Sequence, residues 1–88
     1  MHPRITGVKV EGPFRLRLWF ADKTEGSVDL APGIRGRGGV FAPLQDPTFF
    51  AQVTVEPQFG TIAWPNGVDL DPDVLYEVAH SVSGAVGA

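Results

Sequence analysis

The residues best placed to do chemistry lie in Trp64-Pro65-Asn66-Gly67-Val68-Asp69-Leu70-Asp71-Pro72-Asp73. Asp69, Asp71 and Asp73 alternate as carboxylates do at the start of an EF-hand calcium loop. That loop needs Gly after its third acid and Glu at its twelfth position. Val74 and His80 occupy those places here. Pro72 suits the first turn of a helix, with Asp71 as its N-cap and Asp73 near the positive end of the helix dipole. The trio therefore reads as helix-start chemistry, and no metal site is expected. Asn66 and Asp69 beside Trp64 offer a small polar ligand a place to bind. The competing reading has both side chains bracing the turn through hydrogen bonds to backbone.

Two further constellations carry charge. Gly33-x-x-Gly36-x-Gly38-Gly39, with Arg35 and Arg37 inside it, can cradle an anion through backbone N–H groups and guanidinium forks. It contains neither Gly-Lys-Ser/Thr nor Gly-x-Gly-x-x-Gly, so a surface loop is the plainer reading. Arg15, Arg17 and Trp19, with Lys9 nearby, resemble a basic aromatic platform for nucleic acid. Glu25 and Asp29 on the next strand would neutralise part of it, and Trp19 would equally suit a protein contact. His2, His80, Ser27, Ser81 and Ser83 stand in no nucleophile motif. No catalytic residue and no cofactor is expected.

Composition sets the outer bounds. The chain has 88 residues, 43% hydrophobic content, six Phe and two Trp, which suffices for one packed core. It has no Cys, which excludes disulfides, thiolate zinc sites and cysteine nucleophiles. No apolar run approaches the roughly 20 residues of a membrane span. Met1 to Thr6 lacks a signal-peptide core, so a cytoplasmic protein is the expectation. Net charge is −3, unevenly spread along the chain. Seven basic and four acidic residues up to Arg37 give +3; six acids and no Lys or Arg after it give −6.

The elements follow from period and punctuation. Ile5 to Glu11 predicts a strand with Thr6, Val8 and Val10 on one face, ended by a turn at Glu11-Gly12-Pro13. Phe14 to Phe20 alternates Phe14, Leu16, Leu18 and Phe20 against Arg15, Arg17 and Trp19. Glu25 to Leu30 is a third strand. For even positions to share the core face the loop must be odd in length. Asp22 to Thr24 is the simplest choice, setting Leu18 opposite Val28 and Arg17 opposite Asp29. Ala31 to Gly39 reads as loop, Val40 to Leu44 as a buried apolar run, and Asp46-Pro47 as the start of a short helix to Gln52. Val53 to Glu56 and Thr61 to Trp64 are two more strands. Pro72 to His80 is the last helix. The predicted fold class is α+β: a mainly antiparallel sheet of about five strands in the order β-β-β-α-β-β-α, with its helices on one side. Residues 1–80 form one domain in this reading, and residues 81–88 a flexible tail.

Phe20-Ala21-Asp22, Val28-Asp29-Leu30, Phe41-x-x-Leu44-x-Asp46-x-x-x-Phe50, Val53-x-Val55 and Ile62-x-Trp64-Pro65-Asn66-Gly67-x-Asp69-Leu70-x-Pro72-x-x-Leu75-Tyr76 together resemble the bacterial domain-of-unknown-function 2442 family. The likeness runs from about Ile5 to Tyr76. It implies a small α+β domain with no established activity, encoded beside another small gene in pairs like toxin–antitoxin modules. Some relatives append a helix-turn-helix domain, which this chain is not expected to carry. The family usually places Asp-Gly where this chain has Asp22-Lys23. The leading expectation is a non-enzymatic protein-interaction domain, an antitoxin-like partner of a neighbouring gene product; a homodimer through a strand edge or Trp19 is compatible with it. The alternatives are a nucleic-acid-associated regulator using Arg15, Arg17 and Trp19, with Arg35 and Arg37, and a small-ligand or metal-binding domain at the Trp64–Asp73 turn.

Overall fold

The computed structural model describes residues 3–34 and 38–81. Strands β1 (Ile5–Gly12), β2 (Arg15–Phe20) and β3 (Glu25–Asp29) form an antiparallel meander. A helical turn, α1 (Ala31–Ile34), follows, then a 3₁₀ helix over Gly39–Gln45 and a short helix α2 (Pro47–Phe50). Strands β4 (Thr54–Glu56) and β5 (Thr61–Ala63) pair with each other, and helix α3 (Pro72–Ala79) closes the fold.

The class is α+β as predicted, but the five strands form a three-stranded and a two-stranded sheet, not one. β1 pairs with β2 alone, and its register slips between Ile5 and Gly7. Such a bulge bends a strand and sharpens its twist. That geometry suits β4 and β5 packing against β1 without extending its ladder. One backbone bond, Ile5 N–H to Gly60 O at 2.9 Å, ties the two sheets. The same bulge resets the alternation, so Ile5 is buried and Thr6 is exposed. Val8 and Val10 keep their places against the core.

Register departs from expectation by two residues. Leu16 faces Val28, Leu18 faces Gly26, and Arg17 faces Ser27. The loop is three residues long, as parity requires, but those residues are Ala21, Asp22 and Lys23. Lys23 N–H bonds to Phe20 O and Phe20 N–H to Thr24 O. Lys23 adopts φ 72°, the left-handed conformation that lets a three-residue hairpin close. Phe14 belongs to the preceding turn, at φ 63°, rather than to β2. Its ring still meets Phe50 edge-on at 5.6 Å.

The predicted Ala31–Gly39 loop is partly helical. Asp29 Oδ1 accepts from Ala31 N–H at 3.0 Å, and Ile34 is buried. Of the apolar run, Leu44 is buried and Phe41 half-buried, while Ala42 and Pro43 face solvent; the side chain of Val40 lies outside the described set. A 3₁₀ helix presents few of its residues to one neighbour, because positions three apart eclipse one another. Both aspartate–proline helix starts form as read. Asp46 accepts from Thr48 N–H and Asp71 from Asp73 N–H, each at 2.9 Å.

The core gathers Leu16, Leu18 and Phe20 of β2, Val28 of β3, Leu30, Leu44, Phe50, Ile62, Trp64, Val68 and Leu75. Ile5 of β1 and Ile34 of α1 belong to it as well, and Val55 of β4 packs against it, so every element contributes. Helix α3 lies against β3 at Gly26. A Cβ built there would stand 2.3 Å from the carbonyl oxygen of Ala79, so only glycine permits this approach. Of the predicted tail, residues 82–88 lie outside the described residues. No described helix is long and apolar enough to cross a membrane.

Candidate functional site

Arg15, Arg17 and Trp19 share the outer face of the three-stranded sheet, but not as a basic platform. Arg17 Nε donates to Glu11 at 2.9 Å, and its Nη1 lies 3.5 Å from Glu25. Ser27 Oγ donates to the other Glu11 oxygen at 2.6 Å. The hydrogen bonds from Ser27 and Arg17 hold the Glu11 carboxyl below its usual range, and Glu11 raises Arg17 in turn. Asp29 pairs across from Arg15, so Lys9, Arg15 and Arg17 are matched by Glu11, Glu25 and Asp29 on the same face. Such a face has little net field to offer a phosphate backbone. Trp19 is half-buried and lies over Gly7, where a Cβ would come within 3.3 Å of the indole. Arg35 and Arg37, the anion-loop candidates, lie outside the described residues, as do His2 and Ser83.

The Trp64–Asp73 turn is built largely to hold itself. Trp64 is 3% exposed, and its Nε1 donates to Phe50 O at 3.0 Å, joining β5 to α2. Asn66 Oδ1 accepts from Val68 N–H at 3.2 Å, which is the bracing role. Gly67 N–H and Trp64 O close the turn at 2.9 Å, with Gly67 at φ 89°. Asp71 is the α3 cap. Asp69 differs from its neighbours: its backbone bridges Ala63, and its side chain is exposed.

Asp69 borders a groove of about 420 Å³ along the outer face of β4 and β5. Val55 and Ile62 point inward, so Thr54, Glu56 and Ala63 must point outward. Ala63, small and opposite Thr54, lowers the floor. Gln52, Gln58, Pro65, Gly67 and Asp69 also line it. Phe59 stands at the end, 63% exposed. Glu56 is fixed in place because its Oε1 accepts from Gln58 N–H at 2.9 Å. A second, smaller hollow of about 280 Å³ lies on the far side of the turn, against Phe41 and Val68. The sequence reading missed Glu56, Gln58 and Phe59. The available signal was a Phe in a turn, where no core position exists for it.

A polar cluster also escaped the sequence. Tyr76 Oη donates to Asp22 Oδ2 at 2.8 Å, linking α3 to the β2–β3 turn across 54 residues. Asp22 Oδ1 accepts from Thr24 N–H at 3.0 Å and from Thr24 Oγ1 at 2.5 Å. These bonds, those from Thr24 first, hold Asp22 below its usual range, and Asp22 pushes the Tyr76 phenol up. His80 stacks on Tyr76 at 4.1 Å, and both rings touch Phe20. Ser27 and Ser81 are engaged elsewhere, with Glu11 and with Val78 O. The cluster works as a clasp for α3.

No curated protein and no solved structure matches the chain. The family model described as a protein of unknown function, DUF2442, matches residues 5–81. The chain belongs to the DUF2442 family.

Proposed function

We propose that the chain is a non-enzymatic protein-interaction domain, an antitoxin-like partner of the product of a neighbouring gene. The observation that carries this reading is the groove on β4–β5 with Phe59 at its mouth. Folding buries aromatic side chains wherever it can, and aromatics are enriched at the centres of protein interfaces. A Phe left 63% exposed beside a concave, polar-walled surface is what a partner would cover. Gene pairing, implied by the resemblance to the family, points to where the partner is encoded.

The nucleic-acid reading draws less support, since Arg17 is tied to Glu11 and Glu25 and the outer sheet face is charge-balanced. The metal reading loses Asp71 to the α3 cap. The deciding experiment is co-expression with the adjacent open reading frame, one protein tagged, followed by pull-down and a growth assay. A stable complex that relieves toxicity of the neighbour supports the proposal. Absence of both complex and toxicity overturns it, and salt-sensitive binding to DNA or RNA would replace it with the nucleic-acid reading.

A further inference from the structure

We infer that the β4–β5 groove is a receptor for a short segment of a partner protein that carries a Lys or Arg next to an apolar side chain. The inference rests on the interaction reading above and adds the place and the chemistry. Three observations converge. First, the groove is a surface depression of about 420 Å³. Second, its described lining carries two carboxylates, Glu56 and Asp69, and no cation; Arg4, close by, spends its guanidinium on the Pro57 carbonyl. No described Lys or Arg forms an ion pair with either, and the chain has no Lys or Arg after Arg37. This differs from the outer face of the main sheet, where each carboxylate has a cation or hydroxyl beside it or across from it. Third, the aromatic ring of Phe59 stands exposed at one end of the same groove.

Charge complementarity selects the occupant. A cationic side chain entering the groove meets a lining that bears two carboxylates, one of them held in position by the Gln58 backbone N–H. An apolar neighbour in the same segment covers Phe59. Thr54, Gln52 and Gln58 supply hydrogen-bonding groups for a peptide backbone. An acidic segment would meet like charge from both carboxylates. The smaller hollow across the Asn66–Gly67 turn has Asp69 as its only charged wall and no exposed aromatic, so the main groove is the receptor.

The test is titration of the isotopically labelled full chain with an eight-residue peptide of alternating Lys and Leu, followed by amide shifts. Its Glu–Leu counterpart is the control. The expected result is shifts at Thr54, Glu56, Gln58, Ala63 and Asp69 with the Lys–Leu peptide alone, weakening as salt rises. Glu56→Gln combined with Asp69→Asn should reduce affinity at least tenfold, and Phe59→Ser at least fivefold. Glu56→Gln keeps an oxygen for the Gln58 amide, and none of the three side chains is in the core, so the variants should fold. The inference is overturned by no shifts at millimolar peptide, by equal binding of the acidic peptide, or by shifts confined to Arg15 and Trp19. Concentration-dependent shifts at the groove without peptide also overturn it, because the occupant would then be a second copy. A pull-down that succeeds undiminished with the groove variants sinks the groove and leaves the interaction proposal standing. Peptide binding at the groove with no partner from the neighbouring gene does the reverse.

Discussion

At the scale of residues, two backbone positions carry more consequence than their side chains suggest. Lys23 sits at φ 72°, where a Cβ costs about 1 kcal/mol relative to glycine. Lys23→Gly relieves the strain and loosens the unfolded chain, and the two effects oppose one another. The expected net gain is about 0.5 kcal/mol, read as a higher urea midpoint at unchanged slope. Gly26 is the opposite case. Its φ is ordinary, but a methyl there would strike the Ala79 carbonyl, which belongs to backbone and cannot rotate away. Gly26→Ala should cost about 2 kcal/mol or more, with the loss seen first as weakened amide protection in α3. Gly12→Ala meets nothing within 4 Å and should stay within about 0.5 kcal/mol of the parent in the same urea experiment. On sequence Trp64 is a candidate binding residue; in the fold its indole N–H donates to the Phe50 carbonyl. Nothing in the sequence distinguishes those two uses of an indole.

At the scale of elements, α3 is held by its cap, by Gly26 and by the Tyr76–Asp22 bond. Asp71→Ala removes the cap and should cost about 1 kcal/mol by thermal denaturation. The clasp is pH-dependent in two directions. The Asp22 carboxyl is depressed in the folded state, so its contribution is complete above the unfolded value of about 3.9 and is lost as pH falls through the folded value. The Tyr76 phenol is raised, so its contribution is complete below about 10 and is lost as pH rises through the folded value. The clasp's contribution to stability should therefore be flat between these limits and fall outside them. Tyr76→Phe should blunt the alkaline fall, shrink the acid one and leave Thr24 as the remaining source of the Asp22 effect. Denaturation midpoints measured across pH 2 to 11 on both proteins would decide it. Neither limb could be read from the sequence, because Asp22 and Tyr76 lie 54 residues apart.

At the scale of the whole molecule, two sheets and three helices share one apolar cluster, in which Trp64 and Phe50 touch at 5.7 Å. A core drawn from every element predicts one cooperative transition. Far-ultraviolet dichroism and tryptophan fluorescence should give coincident melting curves; separated curves would mean that β4–β5 unfolds apart from the meander. The charge asymmetry along the chain survives only in part. The basic first half neutralises itself through Arg17, Glu11 and Glu25, and Arg4 reaches the Pro57 carbonyl beside the two-stranded sheet. The acidic remainder is left to shape the groove.

What the sequence determined by itself is local. Asp46-Pro47 and Asp71-Pro72 specify helix starts because cap, proline and dipole act within one turn. The alternation in β2 specifies which side chains are buried because the strand period is two. The class followed from those elements, and the family from the Trp64-to-Leu70 segment. Tertiary structure decided the rest. Parity fixes register only to within two residues, so the Leu16–Val28 pairing depended on where Lys23 turned left-handed. The split into two sheets goes with a bulge next to Gly7; a glycine in a strand can announce a bulge, but not which strands then fail to pair. The groove exists because Ala63, Glu56, Phe59 and Asp69, separated in the chain, meet on one face once β4 pairs with β5. Period and capping act over a few residues and are written in order; a concave surface is made by residues that only packing brings together.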